Sequence, residues 1–310
     1  MIGPEAYRDP EGAGAGRQAV PSLIEAKTRM GEVQLTVSDL ARSIDYYERV
    51  IGLEVREHAG EQATLGAIDG GENLLVLTEV AGARPDPRAT GLYHFALLLP
   101  EREDLGAWLA HAVRERISLE GASDHFVSEA VYLRDPDNHG IEIYCDRPWS
   151  LWEGHVAATM TTDPLNIEGL LALVEDEPPK YDGMPSGTVM GHVHLQVSDI
   201  AASITFYRDV LGFGLMAEMM GSAAFFGAGG YHHHIGANTW HSAGRAPAGE
   251  SAAALRHFTV LLPDDRAMSA LHARLQANGI AASERDGALL VRDPSGNAML
   301  LAVDGSLPAI

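Results

Sequence analysis

The alternation of apolar and polar residues divides the chain into short strand patterns, each followed by a helical pattern. Residues 31–55 and 191–215 match each other in register without a gap. Two further copies begin at Tyr93 and Arg256, and each continues into apolar residues spaced three and four apart, the period of an amphipathic helix. The pattern therefore predicts four copies of one βαβββ unit, in which an acidic residue caps the helix after the first strand.

The spacing of the copies predicts a linker in the middle of the chain. The four acidic cap residues are Asp39, Glu101, Asp199 and Asp264, and the residues seven positions earlier are Glu32, His94, His192 and His257. His94 and His192 are 98 residues apart, whereas the other neighbouring pairs are 62 and 65 residues apart. We expect a flexible leader in residues 1–28, two units in 29–145, a linker in 146–188 and two units in 189–310.

The composition indicates a folded protein that acts on small molecules. The chain carries 22 basic and 43 acidic residues, and its net charge of -21 repels nucleic-acid phosphates and anionic lipid headgroups. No apolar run approaches the roughly 20 residues of a membrane-spanning helix, and the first residues lack a secretory signal pattern. We therefore expect a cytoplasmic protein without nucleic-acid or membrane partners, and the sequence leaves a homo-oligomer open.

Polar side chains share strand faces that a folded unit would bury. His192, His194 and Gln196 lie on one face of the third unit's first strand, and Glu142 and Tyr144 share a face at the end of the second unit. Burying such groups unpaired costs on the order of a few kcal/mol each, and a metal would supply the missing partner. Because the chain has a single cysteine, histidine and carboxylate would be the ligands. The alternative is that each histidine is an ordinary buried side chain that is hydrogen-bonded to the backbone.

These units carry a resemblance to a known family. Their V-x-L-x-V-x-D-L starts and the Y-x-x-D-P-x-x-x-x-x-E end of the second unit resemble the vicinal-oxygen-chelate superfamily of glyoxalases, bleomycin-binding proteins and extradiol dioxygenases, over residues 32–303. Residues 121–149, 191–199 and 229–240 are more specifically similar to four-unit catechol 2,3-dioxygenase-like proteins. The resemblance implies an α+β fold in which four βαβββ units form two cups. One turn departs from the family, since residues 137–140 read D-N-H-G in place of D-G-N-G.

The resemblance also implies a metal site. Members of the family place one ligand on the first strand of each of two paired units, and a carboxylate on the last strand of one of them. Pairing of neighbouring units would give Glu32, His94 and Glu142 in one half and His192, His257 and Leu300 in the other. Pairing of the second unit with the third gives His94, His192 and Glu142, the facial triad of non-haem Fe(II). We therefore expect this crossed pairing around Fe(II), with Mn(II) as the alternative, and units 1 and 4 paired with each other.

Further site residues follow from the same resemblance. His234 matches a histidine that acts as acid and base beside the oxygen site, and Tyr132 and His125 match groups that hydrogen-bond substrate and oxygen. We expect His194, His232 and Tyr144 to contact the substrate. The implied function is an extradiol ring-cleaving dioxygenase that acts on a catechol or related ortho-dihydroxy aromatic and O2. The alternatives are a glyoxalase- or epimerase-like lyase or isomerase, which would consume no O2, and a non-enzymatic resistance protein that binds a small molecule.

Overall fold

Four βαβββ units follow one another in the computed structural model, which describes residues 22–174, 181–285 and 287–305. Unit 1 comprises β1 (Arg29–Val37), α1 (Leu40–Tyr46), β2 (Glu54–Ala59), β3 (Gln62–Gly66) and β4 (Asn73–Glu79). Unit 2 comprises β5 (Gly91–Leu98), α2 (Arg102–Glu115), β6 (Gly121–Asp124), β7 (Ser128–Arg134) and β8 (Gly140–Asp146). The chain then forms α3 (Val156–Thr159), β9 (Asp163–Pro164) and α4 (Ile167–Ala172).

The second half of the chain repeats this organisation. Unit 3 comprises β10 (Val189–Gln196), α5 (Ile200–Ile204), β11 (Gly214–Met219), β12 (Ala223–Gly227) and β13 (Ile235–Asn238). Unit 4 comprises β14 (Leu255–Leu262), α6 (Asp265–Ala277), β15 (Ala282–Arg285), β16 (Ala288–Arg292) and β17 (Ala298–Val303). A π-helical turn extends α1 over Tyr47–Ile51, and another extends α5 over Thr205–Val210. The predicted α+β class and the four units are confirmed.

All four helices that follow the first strands begin at the predicted acidic cap, Asp39, Glu101, Asp199 or Asp264. The side chains of Asp39, Asp199 and Asp264 each accept a hydrogen bond from the backbone N–H three residues later. This contact satisfies one of the N–H groups that the first turn of a helix leaves without an intrahelical partner. At α2, Glu101 and Asp104 form a capping box, in which the Glu101 N–H donates to the Asp104 carboxylate.

The strands form two curled sheets, and each sheet takes its strands from both halves of the chain. One sheet, the outer cup, has the order β15-β16-β17-β14-β1-β4-β3-β2 and consists of units 1 and 4. The other sheet, the inner cup, has the order β11-β12-β13-β10-β5-β8-β7-β6-β9 and consists of units 2 and 3 with β9. The two units meet through β1 and β14 in the outer cup and through β5 and β10 in the inner cup.

One large apolar core joins the two sheets on their helix-facing sides. Phe95 and Leu97 of β5 belong to this core together with Phe258 and Val260 of β14. The cup faces carry separate small clusters, one around Tyr132 and Tyr144 in the inner cup and one around Leu261 and Leu300 in the outer cup. Each strand therefore separates a shared core from a cup interior. None of the helices in the described ranges is long and apolar enough to cross a membrane.

A matching β-bulge interrupts the first strand of units 2 and 4. His194 pairs with His94 while Leu195 pairs with Leu92, so Tyr93 is an extra residue in β5. Gln34 pairs with His257 while Leu35 pairs with Leu255, so Arg256 is the extra residue in β14. A bulge turns the side chain of its extra residue toward the face of the next residue. Tyr93 and Arg256 therefore lie on the cup faces, beside His94 and His257.

Two expectations about chain organisation need correction. The described part of the expected linker, 146–174 and 181–188, packs against unit 2: β9 pairs with β6, and Leu170 of α4 is buried in the core beside Gly106 of α2. The end of the expected leader is also packed, since the N–H groups of Leu23 and Ile24 donate to the Gly212 carbonyl and Ile24 is buried. Apolar side chains hold both segments to the fold. Residues 1–21 and 175–180 lie outside the described residues.

Candidate metal and active site

Three adjacent strands of the inner cup bring His94, Glu142 and His192 together. β5 lies between β8 and β10, and Ala96 of β5 pairs with Glu142 on one side and with His192 on the other. His94 stands two residues before Ala96 and therefore shares its face. The methyl side chain of Ala96 leaves the space between the three larger groups open. All three side chains are buried.

The donor atoms of this triad fit a metal ion. The Nε2 atoms of His94 and His192 both lie 3.1 Å from Oε2 of Glu142. A histidine–zinc bond is about 2.1 Å long. Two metal bonds of this length at a right angle place their donor atoms about 3 Å apart. Within the described ranges, these three residues form the one group of histidine, cysteine or acidic side chains close enough to share an ion. Two histidines and a carboxylate on one side leave the other positions of an octahedral ion open.

The protonation states of the triad suit metal binding. Burial lowers the pKa of His192 to about 4, although the contact with Glu142 opposes this shift. The imidazole is therefore neutral near pH 7 and presents a lone pair. Burial by itself would raise the pKa of the Glu142 carboxyl, but the contacts with His192 and His94 outweigh it and hold the pKa well below its usual range. The carboxylate is therefore ionised.

His233, and not the predicted His234, lies against the triad. The ring centroids of His233 and His192 are 4.1 Å apart, and Nε2 of His233 is buried without a hydrogen-bond partner among the described residues. His234 instead accepts a hydrogen bond at Nδ1 from the Ala228 N–H. Residues 231–234 precede β13 outside the regular strand, with bends at 232 and 234, so spacing along the chain does not decide which of these histidines faces the triad.

A hydrogen-bonded chain fixes the tautomer of His233. Nε2 of His232 lies 2.9 Å from Oδ1 of Asp146, and a carboxylate can only accept, so His232 donates there. When His232 carries only that proton, its Nδ1 accepts from Nδ1–H of His233, 2.9 Å away. Nε2 of His233 consequently carries a lone pair and no proton. The relay Asp146–His232–His233 thus presents a base beside the triad, and burial holds the pKa of His233 well below its usual value.

Tyr132 lies beside the triad and His125 contacts its hydroxyl. Nδ1 of His125 lies 2.8 Å from the Thr161 carbonyl, to which it must donate. Nε2 of His125 therefore accepts from the Tyr132 hydroxyl, 2.7 Å away. The Tyr132 ring lies 5.7 Å from the His94 ring, measured between centroids. Thr161 belongs to the segment that was expected to be a linker.

The three residues that were expected to contact the substrate differ from one another in their surroundings. The His194 ring packs among aromatic rings of the cup, 5.1 Å from His94 and 5.5 Å from Trp240. The Tyr144 ring packs 4.9 Å from His192, and its hydroxyl contacts the Tyr231 hydroxyl at 2.8 Å. His232 belongs to the relay and supports His233.

Tyr93 lines two cavities, one of which borders the triad at His94. A cavity of about 20 Å³ borders His94 and Tyr132. A second cavity of about 340 Å³ extends toward Gln196 and His139, and Tyr93 lines both. The small cavity has room for a water molecule but not for an aromatic ring. Sequence reasoning missed Tyr93 because only the register of β5 and β10 reveals the bulge.

Comparison with known proteins supports a common family for this chain. The model of the Glyoxalase/Bleomycin resistance protein/Dioxygenase superfamily matches residues 29–143 and 189–300. A protein of Bacillus subtilis (strain 168) named catechol-2,3-dioxygenase is 42% identical over 287 residues, which cover 90% of this chain and 99% of the relative.

Solved structures share the fold at low sequence identity. A structure from Bacillus subtilis subsp. subtilis str. 168 has a TM-score of 0.60 and 14% identity, and the match covers 92% of this chain and 86% of that one. Glyoxalase I from Zea mays has a TM-score of 0.54 and 17% identity, with 90% and 94% covered. At these identities the likeness shows the two-cup fold alone.

Proposed function

This chain belongs to the Glyoxalase/Bleomycin resistance protein/Dioxygenase superfamily, and within it we propose an Fe(II)-dependent extradiol dioxygenase that cleaves catechol or a related ortho-dihydroxy aromatic. The catechol-2,3-dioxygenase that is 42% identical to the chain supports this activity. The observation that carries the proposal is the buried group of His94, Glu142 and His192 with the unprotonated Nε2 of His233 beside it. Two histidines and one carboxylate with open positions favour Fe(II), and Mn(II) is the alternative.

The residues of the inner cup would have the following roles. When bound, Fe(II) supplies a Lewis acid that acidifies the catechol hydroxyls and a path for electrons between the ring and O2. Nε2 of His233 accepts a proton from the substrate and returns it later in the reaction, and Asp146 stabilises the charge on the relay through His232. The Tyr132 hydroxyl, whose orientation is fixed by His125, hydrogen-bonds an oxygen of the substrate.

Access of the substrate requires a movement of Tyr93. The cavity of about 20 Å³ beside His94 cannot hold a ring, whereas the cavity of about 340 Å³ on the other side of Tyr93 can. Rotation of this side chain would join the two spaces. The ring would then lie among His194, Trp240 and Tyr132, whose aromatic faces exclude water from the reacting atoms.

The proposal is tested by metal reconstitution followed by oxygen uptake. Protein loaded anaerobically with Fe(II) is expected to bind about one ion per chain, to consume O2 with catechol and to form a yellow ring-opened semialdehyde. Glu142→Ala, His94→Ala and His192→Ala should each lose the metal and the turnover. His257→Ala is the matched control, because this histidine holds the equivalent strand position in the outer cup, where Leu300 replaces the carboxylate.

Three results would contradict the proposal. Full metal occupancy in the Glu142→Ala protein would show that the triad is not the site. A metal-loaded protein that consumes no O2 with any ortho-diphenol would favour the glyoxalase- or epimerase-like reaction instead. A colourless muconate product would indicate cleavage between the hydroxyls and would rule out the extradiol assignment.

A further inference from the structure

The outer cup contains a cavity of about 570 Å³ that the proposed reaction does not use. It lies over β1, β14 and β16 and is closed on one side by the loop 247–254. In the outer cup, the residues equivalent to the triad are Glu32, His257 and Leu300. No described group of side chains in this cup could hold a metal. The cavity therefore needs a different explanation from that of the inner cup.

The β-bulge in β14 gives this cavity a cationic wall. Arg256 is the extra residue of the bulge and stands beside His257, where the inner cup has Tyr93 beside His94. Arg285 and Arg292 also line the cavity, and Glu250 is the one acidic residue in its described lining. A chain with 22 basic and 43 acidic residues thus places three arginines and one carboxylate around a single cavity. Bulges often aim a side chain at a binding site.

The two arginines nearest to His257 are available to a ligand. Neither Arg256 nor Arg285 forms an ion pair with any described residue, and the side-chain contact of Arg256 is a hydrogen bond of 3.4 Å to the Thr36 hydroxyl. Both side chains are exposed at the mouth of the cavity. A guanidinium group binds a carboxylate with two parallel hydrogen bonds, so this wall suits an anion.

His257 is a polar residue in the lining of the cavity. Its side chain is only 6% exposed, lines the cavity and has no hydrogen-bond partner within the described part of the chain. Burial lowers its pKa to about 4, and Arg285 and Arg256 add to this shift, which shows that both guanidinium groups lie close to the ring. A ligand atom in the cavity can hydrogen-bond a nitrogen of this ring.

Part of the cavity lining is apolar. Val80, Leu255 and Leu290 line it, and Leu290 packs on Leu261 and Leu300 beneath. An inorganic anion would leave this surface in contact with water. We propose that the outer cup is a second binding site, for a small carboxylate with an apolar body. Arg256 and Arg285 bind the carboxylate, His257 hydrogen-bonds the ligand and Leu290 packs against its apolar part.

Equilibrium dialysis with radiolabelled benzoate on the full chain tests this proposal. Benzoate is expected to bind the metal-free Glu142→Ala protein as well as the wild type, since the outer cup does not need the inner triad. The double variant Arg256→Ala/Arg285→Ala should bind benzoate at least about tenfold more weakly, the effect of losing hydrogen bonds to a charged group. Arg49→Ala, which removes an exposed arginine of unit 1, is the matched control and should not change binding.

The other arms of the experiment make the assignment falsifiable. Benzamide, which has the same ring without the charge, and inorganic phosphate, which has charge without the ring, should each bind at least about tenfold more weakly than benzoate. Arg285→Glu alters an exposed side chain at the end of β15, so a loss of binding there reports the site and not the core. Unchanged benzoate affinity in both arginine variants, or equal affinity for phosphate, would overturn the proposal.

Discussion

At the scale of single residues, the partners of each ring nitrogen separate the roles of the buried histidines. His94 and His192 point Nε2 at the same carboxylate oxygen, whereas Nδ1 of His234 is occupied by a backbone N–H. His233 donates at one nitrogen and keeps the other without a partner among the described residues. The sequence alone does not separate the roles of these four histidines. Their contacts in the folded protein distinguish a candidate ligand from a candidate base or a structural group.

The first prediction concerns His233. His233→Gln should retain iron and bind catechol but reduce kcat by roughly 10²- to 10⁴-fold, the usual contribution of a general acid–base group. Oxygen uptake under catechol saturation, together with the iron content, measures this loss. His234→Gln is the adjacent control and should remain near the wild type, because its imidazole only accepts a backbone hydrogen bond. The opposite ranking of the two variants would restore His234 as the base.

A second prediction links His257 to acid stability. The pKa of its imidazole is about 4 in the folded protein and about 6.5 when unfolded, so between these values the unfolded chain binds the additional proton. Stability therefore falls as the pH falls, by about 2 kcal/mol between pH 7 and pH 5 for this group. Urea unfolding of His257→Gln should show a correspondingly smaller loss over this range than the wild type. Equal losses in the two proteins would mean that burial does not perturb His257.

At the scale of elements, close approaches between strands position the site. Gly191 of β10 faces the Tyr144 hydroxyl so closely that a Cβ atom there would overlap it. The Tyr144 ring in turn packs 4.9 Å from the His192 ring. A glycine at this point of β10 therefore lets the metal-binding strands approach each other. Sequence alone shows this residue only as the start of a repeated motif.

A third prediction follows from this contact. Gly191→Ala should lower the free energy of unfolding by roughly 1–3 kcal/mol through overpacking, and it should weaken iron binding because Tyr144 is pushed toward His192. Chemical denaturation and iron titration measure the two effects. Gly249→Ala is a control of the same chemistry, since a Cβ at that exposed position would meet nothing within 4 Å. A variant at position 191 as stable as this control would contradict the close contact.

The D-P turns also show how elements hold the units of each half together. In the turn of unit 2, Asp135 accepts a hydrogen bond from the Tyr47 hydroxyl of unit 1. In the turn of unit 4, Asp293 accepts a hydrogen bond from the Tyr207 hydroxyl of unit 3. Nδ1 of His139 lies 2.8 Å from Oδ2 of Asp135. Asn297 holds the equivalent position in unit 4, where its Nδ2 lies 3.0 Å from Oδ2 of Asp293. The unusual D-N-H-G tip thus keeps the turn, because an imidazole substitutes for the amide as hydrogen-bond donor.

At the scale of the whole molecule, each cup needs both halves of the chain. β1 of the first half pairs with β14 of the second, and β5 pairs with β10. The triad comes from both halves as well, His94 and Glu142 from one and His192 from the other. The two halves are therefore not independent domains.

This arrangement gives a fourth prediction. Residues 22–145 expressed alone should aggregate or lack a cooperative unfolding transition, because the free edges of β1 and β5 would be left without partners. Coexpression with residues 146–305 should restore a soluble complex that binds iron. Size-exclusion chromatography and thermal unfolding of the single half and of the complex measure the difference. A stable, monomeric first half would show that neighbouring units fold together instead.

The sequence by itself determined the repeated elements and the chemical types at the site. Strand and helix periodicity, acidic caps and matching motifs are local, so they predicted the four units and the α+β class. Counting the ligand positions that the family resemblance implies then singled out His94, Glu142 and His192, because pairing of neighbouring units joins no two histidines to a carboxylate, whereas pairing of the second unit with the third does. The crossed strand order of both sheets agrees with that count.

Only the tertiary structure decided which neighbours each side chain has. The choice of His233 over His234 depends on bends that break strand alternation, and the positions of Tyr93 and Arg256 depend on the register between strands from different halves. The expected linker became part of unit 2 through packing of α4 and the contact of Thr161 with His125. Periodicity reports the face of a regular element, whereas bulges, bends and contacts between distant segments arise only when the whole chain has packed.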